Sequence, residues 1–82
     1  MDRPKEDDRE LIQFKELYKS NAPMLIFYAG KYVNAITAED LVQDMFLKVW
    51  QKRTFLFLKE GIKTYLYRSV QHACLDYLKH QE

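Results

Sequence analysis

The chain reads as a small all-α bundle of three to four helices, on three observations. Its 82 residues hold only two glycines and two prolines, too few turn-formers for a many-stranded sheet, which needs a turn roughly every eight to twelve residues. Apolar residues recur at three- and four-residue steps over most of the length, the period of one helix face. Charges also sort along the middle of the chain, where Glu39, Asp40 and Asp44 precede Lys48, Lys52 and Arg53, the order a helix dipole favours.

Taken in order, the opening MDRPKEDDRE carries five acids and three bases with no large apolar residue after Met1. Residues 1–8 are therefore expected to form a flexible acidic lead, and residues 9–82 a single domain. From about Arg9, the positions Ile12 (or Leu11), Phe14, Leu17, Tyr18, Leu25, Tyr28, Ala29, Tyr32 and Val33 mark one long amphipathic helix. Pro23 interrupts it once and is expected to kink it rather than start a new helix. A short break at Asn34–Ile36 precedes Thr37, which with Asp40 three residues later reads as a helix start. That helix runs to about Arg53. Residues 54–61, TFLFLKEG, show no clear helical face and end in glycine, so a loop with some helical turns is expected. The last helix spans Ile62 to about His80.

Composition excludes several classes of function. A chain of 9.9 kDa buries only about 60–65% of its unfolded surface, which leaves no room for a deep, walled active site with a separate cofactor domain. Thirteen basic against twelve acidic side chains give a net charge of +1. The chain is not a generically basic nucleic-acid binder, and any electrostatic function must come from local segregation of charge. Cys74 is the single cysteine and has no internal disulfide partner, nothing resembles a secretory signal, and the longest apolar run, Met24 to Ala29, is far short of the roughly 20 residues that span a bilayer. A soluble, cytoplasmic protein with no membrane association is expected.

Two helix faces carry more than solubility requires. On the middle helix Val42, Met45, Phe46, Val49 and Trp50 gather on one side as core, whereas Asp40, Gln43, Asp44, Leu47 and Gln51 gather opposite. The bland reading of that second side is a solvated face. The sharper reading is a docking stripe for a basic helix, with carboxylates for charge-assisted bonds and Leu47 as the apolar anchor. On the last helix Ile62, Leu66, Val70, Ala73 and Tyr77 form one flank, and Tyr65, Arg68, His72, Asp76 and Lys79 another. Arg68 and Lys79 stand about three turns and roughly 16 Å apart, a spacing that suits a phosphate backbone. Lys59 and Lys63 add charge at the helix start, so residues 59–80 hold four Lys or Arg against two acids. Cations interleaved with Tyr65, and preceded by Phe55 and Phe57, suit a single nucleic-acid strand whose bases stack on rings; a solvated face is again the bland alternative.

No catalytic constellation emerges. His72 and Cys74 are two apart on a helix and point to different sides, so they do not form a base and nucleophile pair. Cys74 is expected to be an inert, partly buried thiol, and His72 with Asp76 makes at most an incomplete metal site. No Gly-rich phosphate loop or paired-cysteine motif is present. The chain is read as a non-enzyme that needs no cofactor or metal.

Two blocks, AEDLVQDMFLKVW at Ala38–Trp50 and YLYRSVQHACLDYL at Tyr65–Leu78, resemble the second conserved region of extracytoplasmic-function sigma factors of bacterial RNA polymerase. The likeness extends upstream through Phe14, Leu17, Tyr18, Pro23, Leu25 and Tyr28 to Val33. The resemblance implies that the middle helix docks on a coiled coil of the polymerase's largest subunit through the positions Asp40, Gln43 and Asp44, to which the helical projection adds Leu47. It also implies that the following loop and last helix capture the non-template strand of the minus-ten promoter element with a base flipped into a pocket. That role maps onto Phe55, Lys59, Lys63, Tyr65, Arg68, His72 and Lys79, and an anti-sigma protein is expected as a further partner. The chain departs from the family where His72 replaces the usual Asn, where the loop lacks an Arg-Gly-Asp-Ser-like stretch, and where a linker and a helix-turn-helix domain would follow. The chain is therefore expected to be an excised domain. The alternative is a helical protein-interaction or regulatory module that has lost DNA binding.

Overall fold

A computed structural model describes residues 6–81, which form four α-helices: α1 (Glu6–Ala29), α2 (Ala35–Lys52), α3 (Thr54–Leu58) and α4 (Ile62–Lys79), with a 3₁₀ turn at Lys59–Gly61 leading into α4. The three long helices pack on one another in every pairing, and α3 closes one end of the bundle against α2 and α4. The fold is all-α, as the composition and periodicity predict. Helix α1 begins at Glu6, inside the expected flexible lead; the rest of that lead, residues 1–5, lies outside the described residues.

The core is wholly apolar among the described residues. Ala22, Leu25 and Ala29 from α1 meet Ala38, Val42, Met45, Phe46 and Val49 from α2 and Leu66, Val70 and Cys74 from α4. Leu25, Val42, Leu66 and Val70 are fully buried, each contributing roughly 1.5–3 kcal/mol relative to exposure. The small side chains of Ala22, Ala29 and Ala38 allow the helix backbones to approach. On α4 the buried line runs through Cys74 rather than Ala73, which is only half-buried. The residue is therefore fully buried, not partly, and desolvation raises its pKa above the ordinary value, which disfavours the thiolate.

Helix α1 continues through Pro23 without a break, so no second helix starts there. It ends earlier than expected, at Ala29, because the chain tightens into turns in which the amides of Lys31 and Tyr32 donate to the carbonyls of Tyr28 and Ala29 at 3.1 and 2.9 Å. Tyr32 and Val33 still pack against the core from this turn. At its other end α1 runs past its neighbours: Ile12 is 62% exposed, and Leu11 is exposed too. Neither serves the core as the periodicity suggested.

The start of α2 also differs from expectation. Asn34, not Thr37, is the cap: its backbone is extended, and its side-chain Oδ1 accepts from the Thr37 amide at 2.8 Å. The expected break at Asn34–Ile36 is thus the cap and first turn of the helix, because an Asn side chain satisfies an orphan amide three residues on. Helix α2 closes at Arg53, whose left-handed backbone (φ 53°, ψ 34°) returns its amide to the carbonyls of Trp50 and Val49.

Residues 54–61 are helical, not a loop, and Phe55 is 4% exposed. Its ring stacks nearly parallel to Trp50 (centroids 6.3 Å apart, planes at 12°) and lies 5.7 Å from Phe14. Phe14 in turn contacts Trp50 at 5.2 Å and meets Phe46 edge-on at 6.1 Å. This corrects the assignment of Phe55 to DNA: a ring enclosed by three helices has no face left for a base. Arg53 and Lys59, on either side of α3, are the two non-glycine residues with positive φ among those described. Lys59 (φ 49°, ψ −114°) occupies a region that normally requires glycine.

Two outcomes follow for stability. Phe55→Ala is expected to lower the unfolding free energy by about 3–5 kcal/mol, measured by urea denaturation. Lys59→Gly is expected to leave stability unchanged or raise it by up to about 1 kcal/mol, because relief of backbone strain offsets the greater freedom of the unfolded chain; a loss of more than about 1 kcal/mol would contradict the strain at this joint.

Candidate functional site

Two sets of side chains were singled out from sequence, and the packing decides which of them share a surface. On α2, burial of Val42, Met45, Phe46 and Val49 turns Asp40, Gln43, Asp44 and Leu47 outward, and all four are exposed. Leu47 is 53% exposed. It does not stand alone on a polar face: with Gln43, Phe46, Trp50, Phe14 and Tyr18 it borders a shallow hollow of about 220 Å³. Asp44 lies on the opposite edge of the stripe, toward α4. The outer face of α2 therefore has an apolar edge beside α1 and a charged edge beside α4.

That charged edge forms one wall of a groove of about 680 Å³ between α2 and α4. Asp44 and Lys48 project into it from α2, and Tyr65, His72 and Asp76 from α4. The groove brings one residue of the expected polymerase set together with two of the expected DNA set. Tyr65 is 38% exposed, and Arg68, His72 and Lys79 are exposed beside it on α4; Arg68 and Lys79 lie outside the groove. Asp76 engages His80 rather than His72, with a 3.6 Å separation between Asp76 Oδ1 and His80 Nδ1. Both side chains are about 70% exposed, so solvent screens the pair.

The remaining two cations are placed apart from this face. Lys59 borders a separate hollow of about 250 Å³, between the 3₁₀ turn and α1, together with Phe55, Ile62, Gln13 and Glu16. Lys63 is exposed in the first turn of α4 and projects to the side away from Tyr65 and His72, as a separation of two residues from Tyr65 on a helix requires.

The aromatic side chain that α3 offers to solvent is Phe57, 75% exposed. Burial of Phe55 produces this presentation, since residues two apart on a helix point to nearly opposite sides. The alternation Phe55-Leu56-Phe57-Leu58 carries no signal of which ring turns inward; only the position of Trp50 settles it. Arg53 was read from sequence as a charge at a helix end, and the structure gives it more to do. Its Nε donates to Glu10 Oε1 at 2.9 Å, its Nη1 donates to the Trp50 carbonyl, and its guanidinium lies over the Trp50 ring at 3.8 Å.

At the far end of the bundle Tyr28, Tyr32, Tyr67 and Gln71 form a polar and aromatic junction between α1 and α4. The Tyr28 and Tyr32 hydroxyls are 3.4 Å apart, and Gln71 Nε2 donates to Tyr32 at 3.3 Å. The shared hydrogen bond raises the pKa of Tyr28 above the ordinary tyrosine value and lowers that of Tyr32. This junction belongs to the packing and not to either candidate surface. Among the described residues no helix is long and apolar enough to cross a membrane.

Chemically, the arrangement is an exposed surface of polar and aromatic side chains. It offers carboxylates, an amide and an aliphatic anchor on α2, and cations with exposed rings on α3 and α4. No curated protein and no solved structure matches the chain. A family model described as sigma-70 region 2 matches residues 17–82, a span that includes α2, α3, α4 and most of α1. The chain therefore belongs to the sigma-70 region 2 family, a transcription-factor family that acts in transcription initiation with RNA polymerase and in promoter melting.

Proposed function

We propose that this chain is the core-binding and strand-capturing domain of an alternative sigma factor of the extracytoplasmic-function type. The observation that carries the proposal is the exposure of two chemically distinct side-chain sets on adjoining helices that meet at one groove. Asp40, Gln43, Asp44 and Leu47 receive a basic helix of the coiled coil in the polymerase's largest subunit. In this docking Asp40 and Asp44 pair with Arg or Lys, Gln43 fixes register, and Leu47 with the hollow beside Trp50 takes an apolar side chain.

The melted minus-ten strand is held by Tyr65, Arg68, His72 and Lys79 on α4; Lys59 and Lys63, set apart from that face, add long-range positive charge and no direct contact. Phe57 takes the stacking role that Phe55, being buried, does not have. Rings compensate the bases for lost stacking, and cations neutralise phosphates. His72 presents an imidazole where relatives carry an amide, so hydrogen bonding to a captured base follows a different donor pattern. An anti-sigma protein that covers the α2 stripe would silence the domain without altering its fold. The domain makes and breaks no bond.

Two measurements test this reading. Calorimetric titration with the isolated polymerase coiled coil is expected to show saturable binding, weakened at least about tenfold by Asp44→Lys, the scale of losing a close interfacial charge pair. A fluorescent random-sequence single strand is expected to bind the chain, with Phe57→Ala weakening it by about 1–3 kcal/mol. Arg68→Ala is expected to reduce the slope of log affinity against log salt by about 0.7. Coiled-coil binding without any binding of the single strand would favour the interaction-module alternative.

A further inference from the structure

The family match begins at residue 17, yet the segment that presents Phe57 is held in place by residues before it. Helix α3 is five residues long, too short to be stable alone. It is flanked by two positive-φ residues, Arg53 in the left-handed helical region and Lys59 outside it, neither of them glycine, so its placement stores strain that neighbouring contacts must hold. Those contacts converge on Trp50. Phe55 stacks on the ring, Phe14 packs against it, and the Arg53 guanidinium lies 3.8 Å from its centre. The guanidinium is itself fixed by Glu10, two turns before the matched region, at 2.9 Å. Both side chains of that pair are partly shielded, at 32% and 22% exposure.

We infer that Glu10 and Arg53 form a positioning latch: the ion pair holds the α2–α3 joint in its left-handed conformation and so fixes the direction in which Phe57 faces the promoter strand. The first turns of α1 are then part of the strand-capturing apparatus, although they touch no DNA. Glu10 acts through Arg53, Arg53 through the Trp50 stack, and the stack through Phe55, which is two residues from Phe57. The carboxylates of the α2 stripe stand on an 18-residue helix packed on α1 and α4, and the latch meets the docking surface only at Trp50, on the rim of the hollow beside Leu47, so it bears more on strand capture than on polymerase docking. This inference rests on the strand-capture reading above.

The test is a double-mutant cycle on the full chain with Glu10→Ala, Arg53→Gly and the double variant, where glycine preserves the left-handed joint while removing the guanidinium. Affinity is read for the random-sequence single strand and, separately, for the polymerase coiled coil, at a temperature where circular dichroism shows every variant folded. Each single change is expected to weaken strand binding about three- to fivefold, the scale of a partly exposed pair. The double variant is expected to be no weaker than the singles, with a smaller loss of coiled-coil affinity than of strand affinity throughout. Glu10→Gln, which still accepts the Arg53 Nε–H, is expected to retain most of the strand affinity even if Glu10→Ala loses fold stability. Additive losses, equal losses for both ligands, or no loss in a chain where Phe57→Ala weakens strand binding would overturn the latch alone. A wild-type chain that ignores the single strand, with Phe57→Ala silent, would overturn the strand-capture reading and the latch with it.

Discussion

The packing of Trp50 against Phe14 and Phe55 is the contact on which this small fold most depends. A bundle of this size has few large side chains to bury, and here three of them come from three different helices. The Trp50 ring is amphipathic and half-buried. Its inner side joins the aromatic cluster, and a guanidinium lies against its face, an attraction worth about 0.5–2 kcal/mol depending on desolvation. Without this packing α3 has neither the length to persist as a helix nor a reason to accept two positive-φ joints.

From that contact the exposed surface follows by geometry. Drawing Phe55 inward turns Phe57 outward. Burying Phe46 and Val49 turns Leu47 and Asp44 outward, on opposite edges of one helix face. The groove between α2 and α4 then lies between the proposed docking stripe and the proposed strand-binding flank, with Asp44 and His72 on facing walls. Under the proposed function, polymerase and promoter engage one scaffold from neighbouring sides, and their relative placement is set by the packing of Val42, Leu66 and Val70, which reach neither partner.

The core supplies stability but little directional information, because every buried side chain described is apolar. Direction comes instead from polar groups at the edges. Asn21 Nδ2 donates back to the Leu17 carbonyl at 2.9 Å beside Pro23, Asn34 caps α2, and Gln71 reaches across from α4 to Tyr32. The first two are local and travel with their own helices, whereas the third joins α4 to the turn after α1 and would be lost if α4 slipped.

Much of this was legible in the residues alone. The three long helices, the core side of α2 and the outward placement of Asp40, Gln43, Asp44, Leu47, Arg68, His72 and Lys79 all follow from a period of 3.6 residues repeated over many turns, and a repeated signal averages out local ambiguity. Three features did not follow. Asn34 and Thr37 are both good caps three residues apart, and only the extended backbone at Asn34 decides between them. Phe55 and Phe57 are identical side chains in a segment too short to have a period, so which one enters the core depends on where Trp50 stands. The pairing of Glu10 with Arg53 spans 43 positions and joins two residues that each look like ordinary surface charge. Sequence by itself determined the helices and the chemistry of their outer faces, because those depend on neighbours within a few residues; tertiary structure decided Phe55, Phe57 and the Glu10–Arg53 pair, because burial and ion pairing depend on what the rest of the chain brings alongside.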